Sequence, residues 1–283
     1  METTSNGEEN AKGLLSGVIS AEFKEVIKKL FDKNGRRIPE DLQANVCDAN
    51  RDFRLDQPKL DEEVDFANRI LRLHGCLSID TEVTAEQLKA ETERLLAIIR
   101  ENSQIANIAN GVYLPVVLPK LVTDDLGVEL ELYLDSVNNS YAKIFGDRKF
   151  YNHRKGTLAN KVSIVDRSRH DQLIERMKEG PVIGLHFPNP LQGFSINASR
   201  EQMSTLPEGF ILSGIDTPIS MMMYPDILAR DRNTPGLDLA TFSWRSADYS
   251  LGFGAVGDGL VFRSADCLAG ARGFYSGGLL FLG

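Results

Sequence analysis

Leu251-Gly-Phe-Gly-Ala255 and Leu260-Val-Phe262 flank the turn Gly257-Asp-Gly259. Two apolar runs around a Gly-Asp-Gly turn predict a β-hairpin. Strand and turn patterns continue outward from it. From Leu237 onward short apolar runs alternate with turns, and Gly277-Gly-Leu-Leu-Phe-Leu282 reads as a buried strand. Upstream, Gly209-Phe-Ile-Leu212 is a further strand. Thr217-Pro218 supplies an N-cap and a first-turn proline for a helix through Ile219, Met222, Met223 and Ile227, with Pro225 expected to kink or split it. A short helix is expected near Arg200–Ser204. Lys161–Val165, Arg169–Glu179 and Pro181–Phe187 read together as one β-α-β unit.

The pattern changes further upstream. Leu126, Leu130, Tyr133, Leu134, Val137, Tyr141 and Ile144 predict a helix of about five turns, stopped at Gly146. Gly111–Pro119 is extended, and its two prolines suit an edge strand or a connector. Before it, four helices are predicted. The first carries Phe23, Val26, Ile27, Leu30 and Phe31, and the second starts at Pro39 with Leu42 and Val46. The third carries Leu60, Val64, Ala67, Ile70 and Leu71 and stops at Gly75. The fourth opens on the capping box Thr84-Ala-Glu-Gln87. The expected class is α+β: an N-terminal helical, bundle-like region, then a mixed or mainly antiparallel sheet with a few covering helices. Residues 1–12 are expected to be disordered, 13–110 helical and 111–283 strand-rich, with the boundary between 110 and 160 left open.

The 283 residues carry a net charge of −8, which opposes non-specific binding to nucleic acid or to an anionic membrane. No apolar run approaches the roughly 18 residues that suggest a spanning helix. Cys47, Cys76 and Cys267 form no disulfide framework and suit a reducing compartment. The polar, acidic N-terminus has neither a basic nor an apolar signal region, so the expected location is cytoplasmic.

One window departs from the acidic average. Between residues 143 and 170 stand Lys143, Arg148, Lys149, Arg154, Lys155, Lys161, Arg167 and Arg169 against Asp147 and Asp166, with Phe145, Phe150, Tyr151, His153 and His170 interleaved. Cations neutralise phosphates and aromatic rings stack on bases, so Lys149, Arg154, Lys155 and Arg169 are candidate ligand contacts. A solvated loop paired with the acidic N-terminal helices accounts for the same composition, and no nucleic-acid-binding signature accompanies it.

A second candidate joins two strand ends. His186 and the pair Ser213 and Asp216 lie where loops expose polar groups, and in principle give a base, a nucleophile and an orienting acid. The bland reading makes His186 a satisfied core residue and Asp216 a group near a helix N-cap; no G-x-S-x-G elbow is present. Metal ligation is not expected, because His74, Cys76 and Cys47 have no ligand spacing. Gly252-Phe-Gly254 and Gly257-Asp-Gly259 lie between strands and precede no helix, which removes a phosphate-loop reading. Met221–Met223 is assigned to core packing, and Trp244-Arg245 reads equally as a binding anchor or a stacked pair. No cofactor is implied. The first functional reading is a non-catalytic binding or interaction protein whose partner is a protein or a small molecule. An enzyme, a hydrolase or transferase using His186, Ser213 and Asp216, is the alternative. A nucleic-acid or phosphate-ligand binder acting through residues 143–170 is the second alternative.

Overall fold

A computed structural model describes residues 28–79, 81–257 and 259–283. It is an α+β structure built on one large mixed sheet. The strands are β1 (Leu114–Leu118), β2 (Lys149–Asn152), β3 (Val162–Ile164), β4 (Val182–Gln192), β5 (Phe210–Leu212), β6 (Gly236–Leu239), β7 (Phe242–Trp244), β8 (Ser250–Val256), β9 (Gly259–Ala265) and β10 (Tyr275–Phe281). Eight of them form the main sheet in the order β1-β4-β10-β6-β8-β9-β2, with β5 also pairing β10. The β10–β6 and β9–β2 pairs are parallel; the remaining pairs are antiparallel. The helices are α1 (Glu63–Leu77), α2 (Ala85–Glu101), α3 (Leu126–Ile144), α4 (His170–Glu179), α5 (Ile196–Glu201) and α6 (Asp216–Met223). No helix among the described residues is long and apolar enough to cross a membrane.

The sheet divides two cores, and the two-residue period of a strand decides which side chain enters which. On β10, Leu280 and the following Leu282 join α1, α3, α4 and α6 on one face. Leu279 and Phe281 join Phe31, Leu95, Ile99, Phe187 and Phe210 on the other. We call these the first and second faces. The β4–β10 register slips between Gly277 and Leu279, opposite the two prolines of β4, Pro188 and Pro190. Proline has no N–H to donate to a ladder, so the irregularity falls there.

Several expectations are met. The Thr84–Gln87 box caps α2 reciprocally, and α3 starts and stops as read from its period. The 251–262 hairpin is β8–β9, and β1 is an edge strand. Others are corrected. Residues 39–46 are not helical: Val46 bridges to Phe194, and the Glu201 carboxylate accepts from the N–H groups of Gln43 and Ala44. The first predicted helix falls largely outside the described residues, and Phe31 within it bridges to Arg37. Two of the four front helices, α1 and α2, are therefore seen. They pack on each other, while α1 also packs on α3 and α6, and α2 on β4 and β1. The β-α-β unit does not form, because among the described residues β3 pairs only with β7, in a separate two-stranded sheet. Gly75 lies inside α1, which ends instead at the left-handed Ser78. Pro225 follows the end of α6 rather than kinking it.

Candidate functional site

His186 sits on β4 facing the first core, opposite Leu114 on β1 and Leu280 on β10. Its Nδ1 donates to the Asp216 Oδ2 at 2.7 Å, and both side chains are buried. Asp216 opens α6, every residue of which is buried. A helix start withheld from water must find protein partners for its free N–H groups. The Asp216 Oδ1 accepts from the Gly214 N–H at 2.6 Å, and His170 Nε2 accepts from the Ile215 N–H at 3.2 Å. His170 Nδ1 lies 3.1 Å from the Leu212 carbonyl, which can only accept, so this imidazole is neutral and carries its proton on Nδ1. Burial lowers its pKa, in agreement with the neutral form. For Asp216, burial alone would raise the carboxyl pKa. The His186 hydrogen bond and charge and the Gly214 N–H outweigh it, and the pKa lies well below the usual carboxylate range.

Ser213 Oγ lies 3.4 Å from His186 Nδ1, the nitrogen already engaged by Asp216. A serine relay needs the acid on one ring nitrogen and the hydroxyl on the other. Here His186 Nε2 is buried with no hydrogen-bond partner among the described residues. The three residues named from the sequence are thus brought together, but in an arrangement that ties β4 to the start of α6. Gly278 makes room for it: a Cβ there would stand 2.8 Å from Ser213 Oγ and 3.0 Å from His186 Cε1.

The basic window disperses over several structures. Residues 149–152 form the edge strand β2 rather than a loop, with Phe150 turned inward onto Phe253. Lys149 is exposed, and Lys155 Nζ lies 3.3 Å from Asp135 Oδ1. The Arg154 guanidinium stacks 4.6 Å from the centre of Trp244, whose ring also carries Arg245 at 4.2 Å. Arg169 donates to the carbonyls of Met203, Leu206, Pro207 and Phe210, holding the turn before β5. Met221, Met222 and Met223 are all buried. No group of three metal-ligating side chains stands together among the described residues.

A further candidate site lies on the second face. One row of residues crosses four strands in register: Gly277 on β10, Asp238 on β6, Gly252 on β8 and Arg263 on β9. The glycines on either side of Asp238 leave its carboxylate without a neighbouring side chain on the sheet. A cavity of about 250 Å³ opens above it, lined also by Arg263, Ser264, Cys267, Arg272 and Tyr275. The Tyr275 ring forms one wall by lying over two more glycines. A Cβ on Gly236 would meet its Cε1 at 2.5 Å, and a Cβ on Gly254 its hydroxyl at 2.8 Å. Its hydroxyl accepts from Arg263 Nη2 at 3.0 Å, and the Arg272 guanidinium lies 5.9 Å from its ring centre.

Asp238 is 8% exposed and has no hydrogen bond or ion pair among the described residues. Burial raises its carboxyl pKa, Arg272 and Arg263 lower it, and the outcome is a pKa of about 7. Sequence reasoning missed this site. Gly252 and Gly254 were the signal, two positions apart and therefore on one face of the strand. No family model, curated protein or solved structure matches this chain.

Proposed function

We infer that the protein is a non-catalytic binding protein whose ligand is a small polar molecule held in the Asp238 cavity. The observation that carries this reading is the unpaired carboxylate of Asp238 beside empty space. A buried carboxylate ordinarily finds a partner, because leaving its hydrogen-bonding capacity unmet is costly. A group left without one beside a cavity marks a binding site. Gly252 supports the reading, since it lines the cavity and keeps the floor beside Asp238 clear of a side chain. A cytoplasmic setting belongs to the same reading, supported by three free cysteines, Cys47, Cys76 and Cys267.

A screen of polar fragments, read from backbone amide shifts of the full chain, tests this reading. Shifts are expected at Asp238, Gly252, Ser264 and Tyr275, and Gly252→Ala and Gly252→Val should weaken them progressively. Arg263 is exposed, so Arg263→Ala gives a variant at the rim that keeps its fold. Fragments that shift only Lys149–Lys155 would move the reading to a phosphate ligand. Fragments that never reach the cavity would overturn the present one.

A further inference from the structure

Opposite charges in the cavity are kept apart rather than paired. Asp238 on β6 and Arg263 on β9 stand in one register row with only Gly252 between them. Two strand spacings separate their backbones by roughly 10 Å. Neither Arg263 nor Arg272 forms an ion pair within 4.0 Å of a carboxylate among the described residues, although both line the same cavity as Asp238. The buried end of the site is acidic and in need of a hydrogen-bond donor. The rim offers two guanidinium groups, which match carboxylate geometry, beside the exposed carboxylate of Asp266.

On the reading that this cavity is the binding site, we propose that its ligand is a small zwitterion, whose ammonium group reaches Asp238 and whose carboxylate is held by Arg263 and Arg272. A plain anion would bring its charge toward the Asp238 carboxylate or leave the buried end unfilled. A plain amine would enter past two guanidinium groups of its own sign and leave them unpaired. A molecule with both charges, separated by a few bonds, answers both ends and spans the gap left by Gly252. Tyr275 contributes an aromatic wall for the intervening carbons, fixed by its contacts over Gly236 and Gly254.

The proton on Asp238 gives the site a pH signature. The charged groups facing Asp238 are Arg263 from β9, Asp266 from the segment after it and Arg272 from the segment before β10. Cys267 and the Tyr275 hydroxyl are the other titratable groups in the lining. The neighbouring strand β8 contributes only Gly252 to the lining, and α5 contributes Ile196. Because the Asp238 carboxyl sits near pH 7, an ammonium ligand must draw on the ionised fraction. That fraction rises about tenfold between pH 6 and pH 8, and affinity follows it. A carboxylic acid lacking the ammonium has the opposite preference, because it accepts a hydrogen bond from the protonated form.

Calorimetric titration of the full chain with glycine, β-alanine, 4-aminobutyrate, 5-aminovalerate and 6-aminohexanoate tests the proposal. Pentanoate and pentylamine serve as single-charge controls. Affinity should peak at one chain length, exceed both controls by at least about tenfold and strengthen from pH 6 to pH 8. Asp238→Asn and Arg263→Ala should each lose about tenfold or more. If pentanoate binds as well as 5-aminovalerate and better at pH 6, the ligand is an anion. If pentylamine binds as well, it is a cation. Either result overturns the zwitterion while leaving the cavity as the binding site. Failure of the whole series, with fragments still found in the cavity, also removes the zwitterion alone. Failure of both series and fragments removes the binding reading with it.

Discussion

Asp216 and Asp238 are both buried carboxylates, one on each face of the same sheet, and their surroundings have opposite effects. Asp216 receives a proton donor at each oxygen, from His186 and the Gly214 N–H, and is held ionised. Asp238 receives none among the described residues, and burial pushes its pKa up to about 7. The adjacent glycines of β10 open onto opposite faces of the sheet. Gly278 gives space to His186 and Ser213 on the first face, and Gly277 flanks Asp238 on the second. The contrast separates two uses of a buried charge. A carboxylate whose partners are all supplied by the fold holds elements together; we propose that one whose partner is missing beside a cavity is open to a ligand.

The largest expected effect comes from breaking the satisfied side. Asp216→Ala leaves His186 and the Gly214 N–H without an acceptor inside the buried core. It should cost about 3–5 kcal/mol, measured by denaturant unfolding. The native pKa of Asp216 is depressed, so its contribution is present above the ordinary carboxylate pKa of about 4 and is lost as pH falls below it. The deficit of the variant should therefore shrink in acid. A loss under 1 kcal/mol at pH 7 would mean that the cluster does not hold α6.

Asp238→Asn should act in the opposite direction. The native pKa of Asp238 is raised, so its contribution is complete below about pH 4 and is lost as pH climbs to about 7. A neutral amide escapes that loss. The substitution should stabilise the protein by about 3–4 kcal/mol at pH 8 and by less at pH 5, as read from melts at the two values. Destabilisation at pH 8 would show that the carboxylate has a partner after all.

How far the sequence foretold these sites follows from how local their determinants are. The helices α2, α3 and α4 and the β8–β9 hairpin are visible because caps, period and turn residues lie within a few positions of one another. The β3 strand was also visible, but its partner β7 was not, since pairing joins segments about 80 residues apart. His186, Ser213 and Asp216 could be named as neighbours across two strand ends. Which ring nitrogen each would meet depends on side-chain geometry that no spacing encodes. The Asp238 site was the least legible. Asp238, Gly252, Arg263 and Gly277 come from four strands, and only strand register places them in one row. A lone Asp in Gly-Leu-Asp-Leu239 gives no hint that both of its neighbours on the sheet are glycines.

Carbon-13 titration of the aspartate side-chain carboxyls, with Asp238 and Asp216 assigned by substitution, tests the contrast most directly. The account predicts that the Asp238 resonance moves with a midpoint near pH 7, while Asp216 stays ionised down to the acid limit of the folded protein. An Asp238 midpoint in the ordinary range near 4 would contradict it, because a carboxylate that ionises so readily is not an unpaired group awaiting a ligand.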